Sequence, residues 1–230
     1  MISSRSAEFQ YHDRGERDTI VLIPGWAADH RVFGTQELRY NYLIPVRFSP
    51  RSFEQDLLGS MRERGIRHVT LFGWSLGGFL AAEFAARHAA MVDHLILMSV
   101  RRRFNRFEVQ ALARSLARKK TGCLMTFYKR WFAASDDLKR FLKTYGKAYA
   151  KELELEPLAE GLRYLTEARI DPAALSDIKR ISIIHGEDDS VCPIEEALAI
   201  KKELANADFY PLKGAGHMPF FEEDIGRLIV

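Results

Sequence analysis

Cysteine is scarce in this 230-residue chain: Cys123 and Cys192 stand far apart, with no Cys-x-x-Cys spacing and no neighbouring His or Cys to complete a zinc site. That sets aside a disulfide-stapled scaffold and a structural zinc, and leaves two small buried thiols of a reducing compartment as the expectation. Long apolar runs are also missing. The longest uncharged stretch, Val69 to Ala82, is too short for a bilayer of about 30 Å and carries glycines in its middle, so no membrane-spanning helix is expected. Met1 to Arg17 is polar and mixed in charge, without the basic start, apolar stretch and small-residue cleavage site of a secretion leader, which points to the cytoplasm. Internal repeats and low-complexity linkers are absent too. What remains is 47% hydrophobic and 28% charged, enough apolar surface for a full core in one domain with an insertion.

The order of apolar segments carries the fold class. Thr19–Ile23, Tyr42–Phe48, Val69–Phe72, His94–Val100, Ile181–His185 and Ala207–Leu212 read as short buried strands, several of them closed by Gly or Pro. Helical stretches alternate with them. Ser52 opens one, with Gln55 completing a capping box and Gly65 as its stop; another follows Gly78, and a third spans about Pro193 to Leu204. Alternation of this kind predicts an α/β fold with a mostly parallel sheet covered by helices on both faces. Residues 1–100 and 181–230 form its core. Residues 101–180 show helical periodicity and no strand, and are read as an inserted helical cap of three or four helices, punctuated at Gly122, Ser135-Asp136, Pro157 and Asp171-Pro172.

One motif brings chemistry to that frame. Gly73-Trp74-Ser75-Leu76-Gly77 fits Gly-x-Ser-x-Gly and stands between a buried strand and a helix, where a strained turn lifts a serine hydroxyl above the sheet. Ser75 is the expected nucleophile. A serine hydroxyl needs a base, and His217, in Gly214-Ala215-Gly216-His217 after the last strand, holds the position at which chain order puts it. His12, His30, His68, His88, His94 and His185 lack that combination of place and flanking glycines. The partner acid belongs after the fifth strand, where Gly186 to Pro193 offers two adjacent aspartates, Asp188 and Asp189. Acyl transfer also places negative charge on a carbonyl oxygen. The backbone N–H groups of Leu76, just after the nucleophile, and of Trp26, in the loop after the first strand, are the candidate donors.

Net charge is only +3, but residues 101–150 hold 14 Lys or Arg against three acids, a local balance of +11 that leaves −8 for the rest. So uneven a distribution points to a surface that meets an anionic partner. Arg114, Arg118, Lys119, Lys120, Lys129 and Arg130, along two cap helices, are the candidate contacts. The block lacks stacking aromatics in a recognised nucleic-acid motif, so a nucleic-acid partner is not expected.

These motifs together resemble the α/β-hydrolase superfamily, and within it the pimeloyl-acyl-carrier-protein methyl ester esterases. The resemblance runs along the whole chain and rests on Gly25-Trp26, Gly73-Trp74-Ser75-Leu76-Gly77-Gly78, the general pattern of Leu153 to Leu175, and Ala215-Gly216-His217-Met218-Pro219-Phe220. The chain differs in having Pro24-Gly25 where His-Gly is usual. The resemblance implies an α/β-hydrolase fold and a serine carboxylesterase that needs no cofactor and no metal. It further implies an ester on an acyl chain borne by an acidic acyl carrier protein. It also selects Asp189 as the acid, through a Gly-x-x-Asp turn followed by an apolar residue and Pro, with Asp188 left to cap or solvate the loop. Thioester or carbon–carbon cleavage by the same triad, and a catalytically silent binding module, are the alternatives.

Overall fold

The computed structural model describes residues 7–34, 36–222 and 225–229. Its strands are β1 (Glu8–His12), β2 (Thr19–Ile23), β3 (Asn41–Arg47), β4 (Val69–Trp74), β5 (Val92–Met98), β6 (Ile181–Gly186) and β7 (Ala207–Leu212). They form one sheet in the order β1-β3-β2-β4-β5-β6-β7, parallel throughout except that β1 runs antiparallel to β3. β2, β4 and β6 are buried at every residue, the pattern of strands with both faces covered. β1 is the strand the sequence does not announce. Its residues are polar and exposed apart from Phe9, and it exists because β3 otherwise presents an unpaired edge.

α1 (Phe53–Glu63) corrects the expected capping box. Ser52 occupies the N-cap, but its hydroxyl donates to Asp56 Oδ2 at 2.6 Å and makes no capping bond. A charged acceptor one turn on wins over the backbone, and Ser52 lacks the extended backbone that aims a side chain at the first turn. α2 (Leu76–Arg87) packs on β4 and β5 and is buried around most of its circumference.

Between β5 and β6 lie five short helices: α3 (Arg106–Arg118), α4 (Lys120–Tyr128), α5 (Ser135–Phe141), α6 (Lys147–Glu152) and α7 (Leu155–Leu165), with a π-turn at Leu142–Gly146. The first break falls at Lys119, whose backbone (φ −154°, ψ 83°) leaves the helical region, rather than at Gly122, which sits inside α4. Pro157 lies in the first turn of α7, where a missing N–H leaves no helical bond unmade. The chain then returns through β6 and α8 (Ile194–Glu203) to β7, and closes with α9 (Pro219–Glu222) and a final 3₁₀ turn. Among the described residues no helix is long and apolar enough to cross a membrane.

Strand order reverses at β2: the chain moves outward to β3 and then back across to β4. The crevice beyond the carboxyl ends of β2 and β4 is therefore the switch point at which open α/β sheets place their ligands. There the first turn of α2 comes so close to the end of β2 that a Cβ on Gly77 would fall into the Ile23 carbonyl. Gly77→Ala should accordingly destabilise the protein by about 3 kcal/mol, lowering Tm by roughly 10 °C. Gly59→Ala, inside α1 with open space where its Cβ would go, should stabilise by about 0.5–1 kcal/mol. Thermal melts of the two variants check both signs.

Candidate active site

Ser75 stands between β4 and α2 with φ +54° and ψ −114°, a left-handed backbone that L-residues rarely adopt. Strain of this kind, about 1–3 kcal/mol, persists only where the surroundings over-determine it. Here the Ser75 N–H donates to the Met98 carbonyl at 2.9 Å, and the Ser75 carbonyl accepts the Gly78 N–H at 2.9 Å. A Cβ on Gly73 would strike the Gly77 backbone. The turn is locked in a shape that only this glycine pattern permits. Leu76 opens α2, so its N–H is a first-turn donor with no acceptor inside the helix. Trp26 lies in the loop after β2, and its indole N–H donates to the Leu158 carbonyl of α7 at 2.8 Å.

His217 and Asp189 arrive from neighbouring strand ends, β7 and β6. His217 Nε2 is 2.9 Å from Ser75 Oγ, and His217 Nδ1 is 2.7 Å from Asp189 Oδ2. All three residues are buried. An ionised carboxylate only accepts, so Nδ1 carries the proton, and in the neutral ring Nε2 is left to accept from the serine hydroxyl. The second carboxylate oxygen of Asp189 accepts the N–H groups of Val191 and Cys192, each at 2.8 Å. Burial pushes the Asp189 carboxyl up, but the charge and hydrogen bond of His217, with His185 and the Cys192 amide, outweigh it and hold the group below its ordinary range. Asp188 is exposed, its backbone N–H bonded to the Ala215 carbonyl.

Two tryptophans that the sequence reading does not single out fix the histidine. The Trp74 indole N–H donates to the His217 carbonyl at 2.7 Å, and the Trp131 carbonyl accepts the N–H of His217 at 2.7 Å and of Met218 at 3.3 Å. The two rings meet edge to face with centroids 4.9 Å apart. The concentration of aromatics from Phe127 to Phe132 was the available signal, but nothing in the order of residues says which loop they would meet.

A cavity of about 80 Å³ opens onto Ser75. Phe104, Val109, Leu112, Phe127, Leu162 and Leu165 line it with apolar surface, and Glu108 and Arg130 supply charge. It is far smaller than the roughly 300–1,000 Å³ of sites that enclose a whole drug-sized ligand, so it admits a slender end of a molecule. Among the described residues, Asp189, Cys192 and His217 are the one grouping whose ligand atoms lie within 4.8 Å of one another. Complete burial pushes the Cys192 thiol well up, against the thiolate a metal would need, and Asp189 and His217 are already bonded to each other.

The six basic candidates divide. Arg114, Arg118, Lys119 and Lys129 are exposed, with no ion-pair partner among the described residues. Lys120 donates to the Leu153 and Lys151 carbonyls at 2.6 and 3.2 Å, capping the end of α6. Arg130 donates to the Ser190 carbonyl at 2.5 Å and its own carbonyl accepts the Ser190 hydroxyl at 3.0 Å. Those two are committed to packing.

A mostly parallel sheet with a serine at a strand-to-helix turn and a histidine beyond its last strand defines an α/β hydrolase. The chain belongs to the alpha/beta hydrolase family, whose sequence profile matches residues 20–229. It is a hydrolase, and is similar to pimeloyl-acyl-carrier-protein methyl ester esterases. That of Chromobacterium violaceum is 29% identical over 246 residues, covering 94% of each chain, and that of Nitrosospira multiformis is 23% identical over 236 residues, covering 90% of each. The solved structure of an esterase from Exiguobacterium antarcticum superposes with a TM-score of 0.80 at 20% identity, covering 94% of this chain and 91% of that one, and shares the fold.

The depressed Asp189 pKa has a consequence for stability. A carboxyl whose folded pKa lies below its unfolded value of about 3.9 contributes stability that is complete above that value and is lost as pH falls through the folded pKa. The stability gap between wild type and Asp189→Asn should therefore be larger at pH 5 than at pH 3. Urea denaturation at the two pH values measures it, and an equal gap would mean that the carboxylate is not held as an anion.

Proposed function

We propose that this chain is a serine carboxylesterase whose substrate is a methyl ester on an acyl chain carried by an acyl carrier protein. The observation that supports the chemistry is the unbroken hydrogen-bonded row Ser75–His217–Asp189, buried beneath a cavity that opens at the serine. In this reading Ser75 Oγ attacks the ester carbonyl as His217 Nε2 takes its proton, and Asp189 stabilises the imidazolium. The N–H groups of Leu76 and Trp26 receive the developing oxyanion, each worth about 3 kcal/mol. His217 then returns the proton to the leaving alkoxide, freeing methanol and leaving an acyl-serine. A water molecule, deprotonated by the same imidazole, attacks the acyl-serine; the collapse re-protonates Ser75 and releases the acid.

Residues 1–100 and 181–230 act as the core, and residues 101–180 as a cap over the site. Two features support a carrier-borne substrate: relatives at 23–29% identity are named for one, and the cap presents Arg114, Arg118, Lys119 and Lys129 without partners among the described residues. Basic side chains near an entrance steer an acidic partner and speed its association at low salt.

A fluorophosphonate probe should label wild type at Ser75 and leave Ser75→Ala unlabelled. On a p-nitrophenyl ester, Ser75→Ala and His217→Ala should each reduce kcat by about 10⁴-fold or more, with the double variant no worse than either, because both act on one proton transfer. Asp189→Asn should cost about 10³–10⁴-fold and Asp188→Asn little. A Ser75→Ala protein that keeps a tenth of wild-type kcat would overturn the assignment.

Reversing Arg114, Arg118 and Lys119 to Glu should lower kcat/KM on an acyl-carrier-protein methyl ester by about tenfold at low salt and flatten its salt dependence, while a small neutral ester is turned over as before. Equal losses on both substrates would point to damaged cap packing, and no loss on either would remove the carrier from the proposal.

A further inference from the structure

His185 is the penultimate residue of β6 and fully buried, a titratable side chain with no part in the proton transfers described above. Its Nε2 lies 2.7 Å from the Cys192 carbonyl and 3.5 Å from Asp189 Oδ2. A carbonyl only accepts, so Nε2 bears the hydrogen, and the same N–H leans towards the carboxylate. The Cys192 N–H in turn donates to Asp189 Oδ1 at 2.8 Å. Both polar groups of Cys192 are therefore tied, one to the aspartate and one to the imidazole. A ring closes from the rigid end of β6 through His185 and Cys192 to the carboxylate and, through the Asp189 N–H, back to the Gly186 carbonyl at 3.3 Å.

We infer that His185 is a positioning residue for the reaction: it fixes the rotation of the Asp189 carboxylate, and so the aim of Oδ2 at His217. This rests on the reading of Ser75, His217 and Asp189 as the triad. Two constraints set that rotation. The Val191 and Cys192 amides fix where Oδ1 sits, and His185 holds the Cys192 peptide that one of those amides belongs to. Without His185 the turn from Asp189 to Cys192 loses its only side-chain tie to the sheet among the described residues. Burial pulls the His185 pKa below its ordinary value, against the opposing effects of Asp189 and the Cys192 carbonyl, and the geometry sets its Nε2–H as a donor beside the carboxylate. The ionisable groups acting on His185 are Asp189, His217 and Glu195; Arg101, Glu196 and Arg130 act on the neighbouring Cys192.

The test compares His185→Leu, which fills the space without a donor, with His185→Gln, which restores an N–H near the position of Nε2. Fluorophosphonate titration first counts competent Ser75 in each preparation, so that misfolded protein is not scored and a failure of the triad reading shows separately, as wild type that does not label. Per labelled site, His185→Leu should lose about 10–100-fold in kcat on a p-nitrophenyl ester with KM nearly unchanged, in line with removal of a group that orients a reacting one. Its acidic limb in the kcat/KM profile should move to lower pH by about half a unit, because a misaimed carboxylate stabilises the imidazolium less. His185→Gln should recover most of both. An unchanged pH limb in His185→Leu, or equal damage in the two variants, would reduce His185 to a space-filling residue of the core and overturn the inference.

Discussion

The peptide unit of His217 is gripped at both ends, its N–H by the Trp131 carbonyl and its carbonyl by the Trp74 indole, each at 2.7 Å. The loop from Gly214 to Met218 has no strand or helix to fix it, and such a loop ordinarily samples many conformations. An imidazole that meets a serine at 2.9 Å and an aspartate at 2.7 Å has no room for that freedom. The two bonds are buried, so water offers no exchange for them, and their loss would leave desolvated donors and acceptors at a cost of about 1–3 kcal/mol each. One grip comes from β4, the strand that leads into Ser75. The other comes from the connection between α4 and α5, so the segment inserted between β5 and β6 takes part in holding the site as well as covering it.

The same helices reach the other loops. Trp26 is tied to Leu158 of α7, the Tyr128 hydroxyl donates to the Ala27 carbonyl at 2.9 Å, and the Ser190 hydroxyl and carbonyl are both bonded to Arg130. The loops after β2, β6 and β7 thus each have at least one hydrogen bond to the inserted segment. Backbone strain is concentrated beneath them. The described non-glycine residues with positive φ are Ala27, Ser75 and Ser99, which follow β2, β4 and β5 respectively. At about 1–3 kcal/mol each these conformations would relax if their surroundings loosened, and the buried sheet below and the tied helices above prevent it.

Short apolar runs, several closed by Gly or Pro and alternating with helical stretches, were enough to read the parallel strands, because a strand with covered faces is a brief continuous apolar segment where an amphipathic helix is periodic. β1 escaped because an edge strand is made by its neighbour: Glu8 to His12 is exposed apart from Phe9 and too short to stand out, and its partner β3 supplies the order. The meeting of Ser75, His217 and Asp189 was foreseeable because each follows a strand, so the sheet sets their relative positions whatever the intervening residues do. Helix breaks in the inserted segment were less legible. Gly122 is tolerated within α4 at about 1 kcal/mol, and the break moved to a lysine that carries no break signal. Contacts from Trp131 to His217 and from His185 to Cys192 join residues that no local pattern relates, and only the tertiary structure brings them together.

The size of the cavity bears on where selectivity resides. With about 80 Å³ beside Ser75 and the surrounding helices tied to three loops, the interior distinguishes little more than the slender end of a substrate. Hydrophobic contact there discriminates weakly, at about 1–3 kcal/mol for a missing or extra methylene. In the proposed reading, selection among large substrates falls to the helix surface outside it. That surface holds four exposed basic side chains without acidic partners among the described residues, whereas Arg101 and Arg102 nearby are paired with Glu196 and Glu203. Unpaired charge on an exposed helix face contributes nothing to holding the helix in place. In the proposed reading its effect is on encounter, through a field that extends about 10 Å at moderate salt and favours an anionic partner before any contact with the cavity is made.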